Sequence, residues 1–317
     1  MTPTLFNPYR FASAGNTYTS TADTDCILSN GTNGNWVVFT PAMKYASGTW
    51  SNIASSPATQ TKNLAGGGNF TDGVVMGGAT ANGEAYATKL FYHWNGSTWN
   101  NSPPPDFSTD TWQNVGGGAS QDAWWASGNY ALTPNMQTFD GTSWSANNPL
   151  THAMRAGCGN GHSSSAFCVG GYAGGLYNQR WNQQFDGSSW SDETDYPLTD
   201  SSGSGGSPTS ADSYSASGHQ AGAGTGDTCL INQRDDIASG LYSWDGSTWS
   251  QGNATNYHHV MCQVAGDSTT AMKAGGEYLP TGLAVDTCEV LTGGTWATTG
   301  ALTTVSFAGG MGGNSIS

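Results

Sequence analysis

Tyr257-His258-His259, with Cys262 three residues on, is the one cluster in this chain that carries the ligand types of a copper centre. Adjacent histidines on an extended strand point to opposite faces, so His258 and His259 do not easily share one metal. Trp124-Trp125 offers a different chemistry. Alternation sends the two rings to opposite faces of a strand, where either both pack between sheets or one forms an exposed platform for a sugar ring or a partner. Asp23 and Asp25 have the oxygen ligands calcium takes, but two carboxylates in a polar turn are ordinarily just solvated. His93, His152, His162 and His219 share no spacing and read as loop or strand residues, and the arginines are Arg10, Arg155, Arg180 and Arg234. Cys26, Cys158, Cys168, Cys229, Cys262 and Cys288 form no CxxC or CxxH pair. They read as buried free thiols; a Cys158–Cys168 disulfide across one hairpin is the alternative, and it needs an oxidising environment. The sequence therefore predicts no metal, no cofactor and no catalytic constellation.

The elements that would position these residues follow from a repeat. Tyr45-Ala-Ser-Gly-Thr-Trp50 returns as Trp94-Asn-Gly-Ser-Thr-Trp99, Phe139-Asp-Gly-Thr-Ser-Trp144, Phe185-Asp-Gly-Ser-Ser-Trp190, Trp244-Asp-Gly-Ser-Thr-Trp249 and, more weakly, Leu291-Thr-Gly-Gly-Thr-Trp296. Successive tryptophans are 49, 45, 46, 59 and 47 residues apart. Gly96, Gly141, Gly187 and Gly246 supply the positive φ of a tight turn, and the flanking aromatic and Trp belong to two antiparallel strands. Upstream lies an apolar strand ending in a small pair, as in Val74-Val75-Met76-Gly77-Gly78, Ala166-Phe167-Cys168-Val169-Gly170-Gly171 and Ala271-Met272-Lys273-Ala274-Gly275-Gly276. Before that comes a Gly-rich strand, as in Leu64-Ala65-Gly66-Gly67-Gly68, Asn114-Val115-Gly116-Gly117-Gly118 and Arg155-Ala156-Gly157-Cys158-Gly159.

Four short strands per repeat make the period of a propeller blade, so the expectation is an all-β, six-bladed β-propeller filling residues 1–317 as one domain. Glycine crowds the inner strands because strands converge at the axis, and the aromatics wedge between blades farther out. Each buried Trp contributes on the order of 4–6 kcal/mol from ~150–250 Å² of burial, an upper bound. Residues 1–25 read as an N-terminal arm or first strand, with Arg10–Gly15 the strand-like part. Residues 301–317 read as a closing strand, Thr303–Gly310, which joins Cys26-Ile27-Leu28 and Trp36-Val37-Val38-Phe39 in a blade made from both chain ends. One end is then left over to dock on a partner. The Ser/Gly-rich insertion 192–213 reads either as a flexible loop or as one that folds against a partner or ligand.

The diglycines and the aromatic-then-Trp strands resemble kelch-repeat propellers over nearly the whole chain, and the short turn is similar to the kelch-like repeats of phage virion proteins, notably of marine phages. The match departs from kelch in its four residues between aromatic and Trp, and in a pair that becomes Asn30-Gly31 and Ser127-Gly128 and is lost near Ile231-Asn232. Two enzyme types occur on related scaffolds. A galactose-oxidase-like copper site would need Tyr, His and Cys in the Tyr257–Cys262 region. A sialidase-like site would need a three-arginine clamp, and its Asp box exceeds Ser243-Trp-Asp245-Gly-Ser-Thr-Trp249 by one residue between Asp and Trp.

With 8 Lys and Arg against 22 Asp and Glu, the net charge of −14 repels a phosphate backbone, so nucleic acid is not an expected partner. No apolar run is long enough to span a membrane as a helix. The N-terminal MTPTLFNPYRFASAG lacks the basic and apolar regions of a secretion signal, so synthesis in a host cytoplasm is expected. Together with the Gly/Asn/Ser/Thr-rich, Lys-poor composition, this leads to the expectation of a non-enzymatic bacteriophage virion protein. It would be structural or adhesive, on tail, fibre or capsid, contacting other virion proteins, a host-surface receptor or glycan, or copies of itself in a symmetric homo-oligomer. A carbohydrate-binding propeller lectin is the alternative, and an oxidase or glycosidase the third reading.

Overall fold

The computed structural model describes residues 26–29, 42–57, 65–69, 71–80, 86–100, 110–128, 132–155, 157–173, 180–197, 221–224, 229–232, 241–257, 259–260, 262–266, 269–278, 283–305 and 310–313. Among them there are strands and no regular helix, arranged as a β-propeller of antiparallel sheets. Five four-stranded blades are each one continuous stretch of chain. The second sheet along the chain is Ala65–Asn69, Asp72–Met76, Phe91–Trp94 and Trp99–Asn100; the third is Val115–Gly117, Trp124–Ala126, Met136–Phe139 and Trp144–Asn147. The fourth is Cys158–His162, Ser165–Val169, Asn182–Phe185 and Trp190–Asp192; the fifth is Ala221–Gly224, Cys229–Asn232, Leu241–Trp244 and Trp249–Gln251. The last contiguous blade, built from the sixth four-stranded sheet along the chain, is Gln263–Gly266, Ala271–Ala274, Cys288–Thr292 and Thr295–Thr299.

The expectation of six blades is corrected to these five, while the expected joining of the two chain ends in one sheet is observed. The remaining four-stranded sheet is composite: Gly310–Gly313 pairs antiparallel with Cys26–Ser29, which pairs with Ala42–Ala46 and so with Thr49–Ile53. The strand beside Cys26–Ser29 is Ala42–Ala46, because its Tyr45 must face Trp50 across the turn; Trp36–Phe39, Arg10–Gly15 and the rest of 1–25 lie outside the described residues, as do 198–213. A seventh, three-stranded sheet of His259–Val260, Glu277–Tyr278 and Leu283–Ala284 caps the last blade.

Backbone approach at the axis dictates the glycine-rich inner strands. A Cβ on Gly67 would sit 2.5 Å from the Gly118 carbonyl oxygen of the next blade, and one on Gly117 would sit 2.8 Å from the Gly161 carbonyl oxygen of the blade after. Farther out, the motif tryptophans reach the preceding sheet. Trp190 packs on Trp124 with centroids 5.7 Å apart and donates from Nε1 to the Met136 Sδ. Trp99 donates to the Ala54 carbonyl and Trp249 to that of Thr194. Trp50 joins Met272 and Cys288 across the junction between composite and sixth sheets, where Tyr45 also hydrogen-bonds Thr299, and Thr303 bonds Asn52.

The hairpin chemistry divides into two kinds. Tyr45↔Trp50 and Leu291↔Trp296 are closed by two-residue turns, Ser47-Gly48 and Gly293-Gly294, with both φ values positive in each. The other four have four-residue loops in which Asn95, Asp140, Asp186 or Asp245 accepts through Oδ1 from the backbone N–H groups two and three residues on, at 2.8–3.0 Å. These bonds to its charged form hold the Asp245 carboxyl at about 2 and lower that of Asp140. A depressed native value contributes stability that is present above the ordinary 3.8 and is lost as pH falls through about 2.

Two predictions follow from this architecture. Gly67→Ala separates two blades at the axis and lowers the unfolding free energy by about 1–3 kcal/mol or more, where a Gly→Ala change without a clash raises it by about 0.4–1 kcal/mol, read by equilibrium unfolding. Asp245→Asn keeps the turn, as Asn95 does naturally, so stability at neutral pH is retained while the acid-dependent loss between pH about 4 and 2 shrinks, read by unfolding across that range.

Candidate functional site

Antiparallel order places the connections between first and second and between third and fourth strands at one face of the ring, and the remaining connections at the other. The first set never exceeds six residues; the second runs from eight to twenty-eight. One face is therefore trimmed to turns, and the strand ends joined by the long connections and inter-blade linkers open on the other, the usual place for recognition on a rigid scaffold.

On the long-loop face a small hairpin follows the diglycine. In the second sheet Gly77 N–H bonds Leu90 O, Thr88 N–H bonds Gly78 O and Thr80 N–H bonds Tyr86 O. The last blade repeats this with Gly275 to Thr287, Val285 to Gly276 and the Tyr278↔Leu283 pair. Tyr86 and Leu283 thus occupy the same position in two hairpins on either side of the composite sheet. They are the large apolar side chains that stand exposed among the described residues, at 51% and 59%.

Below these hairpins, inter-blade linkers are tied to third-strand side chains by a repeated device. In the fourth sheet the buried Gln183 accepts through Oε1 from Thr151 Oγ1 at 2.7 Å and from His152 N–H at 2.9 Å. In the sixth, Glu289 takes the equivalent place and accepts through Oε1 from Asn256 N–H at 2.6 Å and Asn256 Nδ2 at 2.8 Å. Directly across the strand pair stands Lys273, whose Nζ donates to Tyr257 O at 2.7 Å and Thr255 Oγ1 at 3.0 Å and lies 3.8 Å from Glu289 Oε2. Both ionic side chains are essentially sealed from solvent, at 2% and 1% exposure. Burial lowers the Lys273 ammonium below the ordinary lysine value, against the opposing pull of Cys262 and Glu289.

The residues singled out in the sequence fall elsewhere. Trp124 and Trp125 are both buried, Trp124 against Trp190 and Met154, Trp125 against Phe91 and Phe139, so neither is a sugar platform. His259 is buried, stacks on Tyr257 and meets Thr287 Oγ1 at 3.2 Å; His258 lies outside the described residues. His152 stacks on Trp181 with centroids 4.1 Å apart and pairs with Asp192 at 3.2 Å. Arg155 lies over the Tyr172 ring at 4.4 Å and Arg180 donates to Tyr196 O, while Arg10 and Arg234 lie outside the described residues. No three metal-ligating side chains come together among the described residues. Cys158 and Cys168 are free thiols on opposite faces of their sheet, in clusters with Tyr242 and Trp124 respectively, which overturns the disulfide alternative; burial raises both, Cys158 to about 12.

Sequence reading passed over Gln183, Lys273, Glu289 and the two exposed apolar positions. One signal was visible: Lys273, among four lysines, interrupts an otherwise apolar strand before a diglycine. No protein-family model matches the chain, and no curated protein matches it either.

The linker device yields a prediction. Gln183→Leu leaves the His152 N–H without its acceptor and the Thr151 hydroxyl with Asp192 alone, and costs about 1–3 kcal/mol in equilibrium unfolding.

Proposed function

We propose that the chain is a kelch-like propeller serving as a non-enzymatic structural or adhesive component of a bacteriophage particle, engaging its partner through the long-loop face. The observation that carries this reading is the asymmetry of the ring. The strand ends joined by long connections open on one face, and the exposed Tyr86 and Leu283 repeat at one position there, whereas the opposite face carries short turns whose carboxylates are consumed in their own backbone bonds. The anionic, Lys-poor composition agrees with a component that must not adhere to its neighbours at random. A lectin built on equivalent Trp pockets is less well supported, because Trp50, Trp190 and Trp296 are buried between or within sheets.

The test is a cryo-EM reconstruction of the particles released by lysis of the host that makes this chain. Ordered, stoichiometric propeller density whose long-loop face meets another protein is the expected result. Recovery of the chain only as free propeller, with binding on a glycan array, would replace this reading by the lectin. The variant Tyr86→Ser/Leu283→Ser is expected to fold as the parent does and to lose at least about tenfold in particle occupancy, a drop of about 1.4 kcal/mol or more.

A further inference from the structure

Lys273, Glu289 and Asn256 bring together the three groups needed to make an amide bond between side chains: a buried amine, a carboxamide and a carboxylate bound to one and close to the other. We propose that Lys273 and Asn256 are the site of an autocatalytic isopeptide cross-link, formed with Glu289 as proton carrier, that ties the linker entering the last blade to that blade's second strand.

The placement is specific. Lys273 Nζ donates to Thr255 Oγ1 and to Tyr257 O, so the amine is held by the residues on either side of Asn256. Glu289 Oε1 holds the Asn256 amide nitrogen at 2.8 Å, and the same nitrogen donates to Trp296 O at 3.1 Å. The second carboxylate oxygen, Oε2, accepts no hydrogen bond from the described residues and lies 3.8 Å from Nζ. One carboxylate thus touches the leaving amide with one oxygen and faces the nucleophile with the other. The chemistry needs a neutral amine, which burial of Lys273 favours, and Asn256 brings its carboxamide to that buried pair from the exposed rim of the linker. At the equivalent place in the fourth sheet Cys168 and Gln183 stand opposite each other, so the same linker device exists there without an amine.

The step balances without an outside reagent. Glu289 Oε2 takes one proton from the Lys273 ammonium, and the free amine attacks Asn256 Cγ. The tetrahedral intermediate loses a second Nζ proton, the Cγ–Nδ2 bond breaks, and both protons leave on the departing nitrogen as ammonium. What remains is an Nζ–Cγ amide between the two side chains and the Glu289 carboxylate as it began; nothing is oxidised or reduced.

Mass spectrometry of the purified full-length chain tests this directly. The expected intact mass is lower than the sequence mass by one ammonia. Because an Asn-Gly succinimide loses the same mass, the loss must map to Lys273: trypsin fails to cut after it, and a protease cutting after Tyr257 leaves the Asn256 and Lys273 ends joined. Glu289→Gln and Lys273→Arg are expected to restore the full mass, and Glu289→Gln to restore cleavage after Lys273. Wild-type protein that keeps its full mass on prolonged storage and is cut completely after Lys273 would overturn the cross-link, and a cross-link that persists in Glu289→Gln would overturn the role given to that carboxylate.

Discussion

Everything in this molecule depends on how closely its inner strands crowd the ring axis. The backbone at Gly67 reaches that of Gly118, and Gly117 reaches Gly161, at distances that exclude a single carbon atom. Close approach at the centre forces the sheets to splay outward, and the widening gap between them must be filled by something large. Motif tryptophans do this by leaning on the sheet before their own, as Trp190 does on Trp124 and Met136. Small residues inside and indoles outside are therefore two consequences of one geometry.

The same geometry sorts the connections. Four short antiparallel strands per sheet leave two kinds of link, and turn chemistry compresses one kind to a few residues through the Asx bonds of Asn95, Asp140, Asp186 and Asp245. All variation is displaced to the opposite face, where linkers must be anchored individually. Gln183 and Glu289 perform that anchoring, and at Glu289 the anchor has acquired a buried amine as its neighbour. Binding surface and buried chemistry both arise on the side where the repeat is least regular.

What was legible in the sequence was local. An Asp-Gly or Asn-Gly between an aromatic and a Trp declares a hairpin because the φ of the glycine and the reach of the carboxylate are decided within four residues, and the diglycines and Gly-rich strands follow in the same way. The composite sheet was harder to place, since residues 310–313 and 42–46 carry weak local signals and become strands through their long-range partners. Trp124 and Trp125 could not be assigned to packing until neighbouring sheets supplied both of their pockets. Lys273 and Glu289 are sixteen residues apart and meet through a strand register that no local pattern fixes. Equally, Tyr86 and Leu283 look unremarkable in sequence; their equivalence emerges only from the matched hairpin bonds.

Closure of the ring by the composite sheet is the claim on which the scaffold, its long-loop face and its linkers all rest. Amide hydrogen exchange of the intact chain measures it most directly. The account predicts that Cys26–Ser29 and Gly310–Gly313 exchange together and as slowly as the inner strands Ala65–Asn69 and Gln263–Gly266, because each completes the same ring. Exchange of Gly310–Gly313 at the rate of an open loop, with Cys26–Ser29 equally unprotected, would show an open ring and contradict it.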